Sequence, residues 1–161
     1  MKCRVYDTTC INPNFCQLRA ACCAGDMACK PRNAMQIAVE HFHEKFGHVV
    51  NHTPRLSRAE LRASLIEEEA KETVAAIREA NFVEAIDGMC DLLYVVFGTA
   101  VEFGIDIQPF FDEVHRTNML KVGGATREDG KTLKPPGWEP PKIREIVQAL
   151  YAALEEPSLG R

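Results

Sequence analysis

From Arg58 to Phe103 the chain carries two long stretches of helical period broken only at Asn81, and that pairing leaves few folds open. In the first stretch Leu61, Leu65, Ile66, Ala70, Val74 and Ile77 recur at helical spacing, which predicts a helix from about Arg58 to Ala80 with those residues as its buried side. Ser57-Arg-Ala-Glu60 fits a capping box at its start. The second stretch, Phe82 to about Phe103, is apolar nearly all round in its later half. A helix of that kind is buried on several sides, inside a bundle or at a subunit interface. Gly104 suits the position just past its end.

The flanking segments read as helical too. Asn33 is a plausible N-cap for a helix whose apolar stripe is Met35, Val39, Phe42 and Phe46, and Gly47 ends it. Residues 48–56 form a connecting loop. Asp106 caps a fourth helix with Pro109 in its first turn, running to about Lys121. A loop rich in Gly, Pro and Lys follows to Pro141, and an amphipathic helix from about Ile143 to Glu155 closes the domain. With neither strand alternation nor an internal repeat, the fold class is all-α, a bundle of four to five helices.

The first 30 residues stand apart. They show no sustained period and hold Cys3, Cys10, Cys16, Cys22, Cys23 and Cys29. Thiolates at short loop spacings are what a structural zinc uses, although no Cys-x2-Cys pair occurs and the adjacent Cys22 and Cys23 are awkward ligands for one ion. Two units are therefore expected: a Cys-rich appendage over 1–30, metal-binding or simply reduced, and the helical domain over 31–161. Cys90, in an apolar helix, reads as a small core residue. The N-terminus lacks the apolar core of a signal peptide, and no run reaches the roughly 20 apolar residues that cross a bilayer. The expected location is the cytoplasm, with no membrane partner. A net charge of -4 gives no general reason to expect nucleic acid as a partner.

Charge is segregated along the chain. Between Ser64 and Asp91 stand Glu67, Glu68, Glu69, Glu72, Glu79, Glu84, Asp87 and Asp91, against only Lys71 and Arg78. At about 100° per residue, Glu68, Glu69 and Glu72 share one side of the first long helix, and Glu84, Asp87 and Asp91 share an arc of the second. Glu67 and Glu79 fall away from that side. Lys71 and Arg78 are too few to pair the acids along the helix. Carboxylates converging without histidine or cysteine favour hard cations, Mg2+ with Mn2+ as the alternative. Mg2+ sites of this kind are usually completed by substrate phosphates. The basic arm supplies candidate phosphate ligands in Arg116, Asn118, Lys121, Lys131 and Lys134. Glu40-x-x-His43 looks like half of a di-iron ligand set, but no second copy occurs, so His41 and His43 read as solvated surface residues.

At these residues the chain resembles the all-α NTP pyrophosphatase superfamily, the MazG-like and dimeric-dUTPase-like group that includes phosphoribosyl-ATP pyrophosphohydrolase. Glu69-Ala-Lys-Glu72, preceded by Glu68, matches the family's Glu-x-x-Glu, and Glu84-Ala-Ile-Asp87 its Glu-x-x-Asp. The likeness runs on through Asp91-Leu-Leu-Tyr-Val-Val-Phe-Gly-Thr-Ala and Phe111-Asp-Glu-Val-His-Arg-Thr-Asn-Met-Leu-Lys121, and covers roughly residues 33 to 150. Members with a glutamate directly after the first aspartate-like position have Gly88 here. Two assignments of the second motif stay open, Glu84/Asp87 and Asp87/Asp91. The resemblance implies Mg2+-dependent hydrolysis of a nucleoside triphosphate between the α and β phosphates, giving the monophosphate and pyrophosphate. It implies that Glu68, Glu69, Glu72, Glu84 and Asp87 hold ions or the attacking water, and that Asn118 and Lys121 contact phosphates. It also implies a homodimer or homotetramer with helices of two subunits around each site. Phosphoribosyl-ATP hydrolysis is the alternative within enzymes, and a non-catalytic metal-binding regulatory module the alternative outside them.

Overall fold

A computed structural model describes residues 32–155. The described residues form five helices: α1 (Ala34–Phe46), α2 (Ala59–Arg78), α3 (Phe82–Phe103), α4 (Gln108–Met119) and α5 (Ile143–Glu155). The described residues hold no strand, only an isolated bridge between Thr126 and Thr132 in the loop before α5. The fold class is all-α, as the periodicity predicts. None of these helices is long and apolar enough to cross a membrane. The six clustered cysteines lie outside the described residues.

α3 is the spine, with α2 packed along it as an antiparallel hairpin and α1 against its C-terminal half. Among the described residues α4 packs on α5, and at its start Gln108 Oε1 accepts from Asn33 Nδ2, the α1 cap, at 3.3 Å. The ends of α1 and α3 obey local rules. The Asn33 side chain accepts from Met35 N at 2.9 Å and Gln36 N at 3.3 Å, that of Asn81 accepts from Glu84 N at 3.4 Å, and Gly47 and Gly104 end α1 and α3 in the left-handed conformation. At α4 the cap sits one residue early, with Asp106 Oδ1 accepting from Gln108 N at 3.1 Å.

The start of α2 departs from the capping box. Ser57 forms no cap; Arg58 occupies the N-cap at φ 45, ψ 45 with no side-chain cap bond. A non-glycine residue in that region is strained, and what holds it is Glu102. Glu102 is fully buried at 0 % exposure near the end of α3 and receives Arg58 Nε at 2.9 Å, Arg58 Nη2, and Arg62 Nη1 at 3.3 Å. Arg62 is itself buried and spends its remaining donors on Thr99 Oγ1 at 3.0 Å and Val95 O at 2.6 Å. Gly98 makes room for this network, because a Cβ there would stand 2.9 Å from Arg62 Nη2 and 3.1 Å from His43 Nε2. His43 is therefore buried, not solvated, with Nδ1 bonded to Val49 O at 2.9 Å.

The buried face of α1 is also more polar than its apolar stripe suggests. Gln36, Val39, Glu40 and His43 point inward, while Met35 at 59 % and Phe46 at 58 % are exposed. The Gln36 amide explains the inversion: Nε2 donates to Ile105 O at 2.7 Å and Oε1 accepts from Ile107 N at 3.1 Å, stitching α1 to the turn between α3 and α4. On α2 the buried residues are Arg62, Thr73 and Ala76, and the expected core residues Leu61, Val74 and Ile77 are exposed. α3 is likewise covered on one side only, leaving Leu93 and Val96 of its apolar half open together with Ile86 and Met89 before them, and Cys90 is exposed rather than core.

Candidate functional site

The hairpin turn places the acidic faces of α2 and α3 side by side. Ala80 takes φ 54 and the backbone closes with Ala80 N to Ile77 O at 3.2 Å and Asn81 N to Ala76 O at 3.0 Å, so α3 starts directly under the end of α2. Thr73 Oγ1 donates back to Glu69 O at 2.7 Å, and a Cβ on Gly88 would stand 2.8 Å from that hydroxyl oxygen and 3.1 Å from Thr73 Cα. The two helix backbones are in near contact at this level.

Around the contact the carboxylates gather. Glu69 is half-buried between the helices, and Glu68, Glu72, Asp87 and Asp91 are exposed around it. Burial, and after it the charges of Asp91, Glu72, Glu68 and Asp87, raise the Glu69 carboxyl above the ordinary carboxylate range. Every charged neighbour in that list is an acid. Glu84 stands exposed in the first turn of α3, its backbone N–H donating to Asn81 Oδ1 at 3.4 Å. Among the described residues no three His, Cys, Asp or Glu side chains already stand at metal-ligand spacing. Lys71 is spent on Glu67 at 2.7 Å along the outer flank of α2, where both line a shallow open hollow of about 360 Å³ with Ser64, Glu68 and Glu72.

Glu68, Glu69, Glu72, Asp87 and Asp91 offer oxygen donors only, the ligand type that hard divalent cations take, and four of the five are exposed to solvent.

The five candidate phosphate ligands lie elsewhere in the chain. Arg116 is forked onto Glu113 at 2.7 and 2.8 Å, and Glu113 also accepts from Lys142 N at 2.9 Å. The Arg116 fork, and then the Lys142 amide, drive the Glu113 carboxyl down to about 2. Asn118 is exposed near the end of α4, and Lys121 lies in the turn that follows. Lys131 stands in the loop closed by Arg127 N to Lys131 O at 2.8 Å, and Lys134 Nζ sits 4.1 Å over the Trp138 ring. Trp138 Nε1 in turn donates to Thr117 O at 2.8 Å, fastening the loop to α4. Among the described residues α4, which precedes this loop, has no helix contact with α2 or α3, the two helices that carry the carboxylates.

Two features escape a reading by periodicity. The Arg58–Glu102–Arg62 network is signalled only by a glutamate inside Ala-Val-Glu-Phe and two arginines four residues apart. An aromatic corner, Phe42 with Tyr94 at 5.5 Å, Phe46 at 4.7 Å and His48 at 5.5 Å, joins α1 to α3 one turn beyond Asp91. Its signal is Tyr94 following Asp91 by three residues.

Residues 39–118 match the family model described as phosphoribosyl-ATP pyrophosphohydrolase. An uncharacterized protein of Acanthamoeba polyphaga mimivirus is 38% identical over 77 residues, 44% of this chain and 31% of that protein. The chain thus spans about a third of the length of that relative. The family match supports a pyrophosphohydrolase-type fold. Through residues 39–118, with their hairpin of facing carboxylates, the chain belongs to the all-α NTP pyrophosphohydrolase superfamily.

Proposed function

We propose that the protein is a Mg2+-dependent nucleoside triphosphate pyrophosphohydrolase, which cleaves a (d)NTP between the α and β phosphates to the monophosphate and pyrophosphate. The observation that carries this reading is Glu69, half-buried and crowded by Asp91, Glu72, Glu68 and Asp87. Such crowding favours uptake of a proton or of a divalent cation, and the cation relieves all the carboxylates at once. Glu69, Glu72, Asp87 and Asp91 would hold it, with Mn2+ as an alternative ion, and Glu84 is left at the rim. A bound Mg2+ supplies charge neutralisation on phosphoryl oxygens and a more acidic water. Glu68, exposed on α2 beside Glu69, would orient a water for attack on the α phosphorus. Departure of pyrophosphate from the same phosphorus completes the displacement.

The basic group needs a second copy of the chain. In a homodimer or homotetramer, Asn118, Lys121, Lys131 and Lys134 of one subunit would meet the carboxylate face of another and hold the β and γ phosphates. Arg116, already committed to Glu113, contributes less. The corner of Phe42 and Tyr94 offers an apolar wall for the base. The nucleotide-pool type of substrate is the leading reading, and phosphoribosyl-ATP is the second, favoured by the description of the matching family model.

The test is pyrophosphate release over all dNTPs, NTPs and phosphoribosyl-ATP with Mg2+ and Mn2+. Wild type is expected to turn over at least one of them, and Glu69→Gln or Glu72→Gln to abolish release while circular dichroism stays helical. Tight metal binding with no turnover on any substrate would instead support a regulatory module.

A further inference from the structure

Gly88 on α3 faces Thr73 on α2, each next in sequence to a carboxylate of the acidic faces, Asp87 and Glu72. A Cβ at position 88 would lie 2.8 Å from Thr73 Oγ1, 3.1 Å from Thr73 Cα and 3.4 Å from Thr73 Cβ. Real Cβ atoms do not approach so closely, so any side chain there forces the helices apart. Thr73 cannot simply turn its hydroxyl aside, because Oγ1 is bonded to Glu69 O at 2.7 Å. In sequence the contact is central: Thr73 follows Glu72 directly and stands one turn from Glu69, while Gly88 follows Asp87 directly and stands three residues before Asp91.

The chemistry of the two walls differs. α2 offers glutamates, and α3 offers aspartates at i and i+4, each one methylene shorter. A shorter carboxylate reaches a shared ion only if its helix stands closer. We propose that Gly88 and Thr73 are positioning residues, whose contact sets the helix separation at which Asp87 and Asp91 reach the same cation as Glu69 and Glu72. This rests on the metal-site reading above. It also accounts for the absence of a glutamate at position 88, since a side chain there has no space toward Thr73.

The test measures Mn2+ binding to the full chain by calorimetry, independently of turnover. Gly88→Ala is expected to weaken Mn2+ by about 10-fold or more, the size of effect that misplaced ligand supports produce. Adding Asp91→Glu in that background should restore most of the loss, because the longer side chain spans the wider gap, whereas Asp91→Glu alone should bring no gain. If Gly88→Ala does not fold, the Thr73→Ala/Gly88→Ala pair, relieved of the clashing oxygen, carries the same Asp91→Glu comparison. Wild-type affinity in Gly88→Ala, or no regain from Asp91→Glu in either background, would overturn the positioning role. Wild-type protein that takes up no Mn2+ would fail the metal-site reading itself, a separate result.

Discussion

Glu113 receives a bidentate fork from Arg116 and a backbone N–H from Lys142, and this one carboxylate joins α4 to the start of α5. Its folded-state value lies below the unfolded one of 4.5, at about 2. A depressed carboxylate contributes stability that is present above the unfolded value and is lost as pH falls through the folded one. The α4–α5 tie is therefore expected to hold through the acid range until pH approaches about 2. An NMR titration of the Glu113 carboxyl with a midpoint near the ordinary 4.5 would contradict that. Single residues were unevenly legible in the sequence. Glu69 and Glu72 were readable because spacing alone puts them on one side of a helix. His43 was not, because what buries it is the carbonyl of Val49 in the loop that follows α1 and the close approach at Gly98 on α3, neither of which its helical period reveals.

At the level of the helices, α3 obeyed its own sequence from Asn81 to Gly104, where side-chain cap, apolar run and terminal glycine agree. α2 did not, since a long-range ion network overrides its local cap. Arg58 leaves Ser57 and the capping box to reach Glu102, taking a strained backbone with it. That network also predicts an energetic signature. Glu102→Ala leaves Arg62 buried with an uncompensated charge, and removal of one partner from a buried pair costs about 3–5 kcal/mol. Urea unfolding should read a loss of that order, with α2 fraying first from Arg58. A loss below about 1 kcal/mol, the size of an exposed pair, would show that the network contributes only as a surface bridge.

For the whole molecule the telling feature is what one chain leaves uncovered. Val74 and Ile77 on α2 were expected on the buried side, Leu93 and Val96 on α3 inside a bundle or at a subunit interface, and all four lie exposed beside Ile86 and Met89, because period identifies an apolar face but not what covers it. Exposed apolar surface on this scale marks an association site. Light scattering is expected to find a species larger than the 18.0 kDa chain. Leu93→Glu, a change at a side chain 48 % exposed in the single chain, should shift it toward monomer and remove activity together, since the basic arm and the carboxylates then no longer meet. A fully active monomer would refute the two-subunit site. The central claim is the bond that breaks, and 31P NMR of the purified protein with Mg2+ and its best nucleotide follows it directly. Monophosphate and pyrophosphate should rise together in equal amounts from the first time point; orthophosphate released one unit at a time would contradict cleavage between the α and β phosphates.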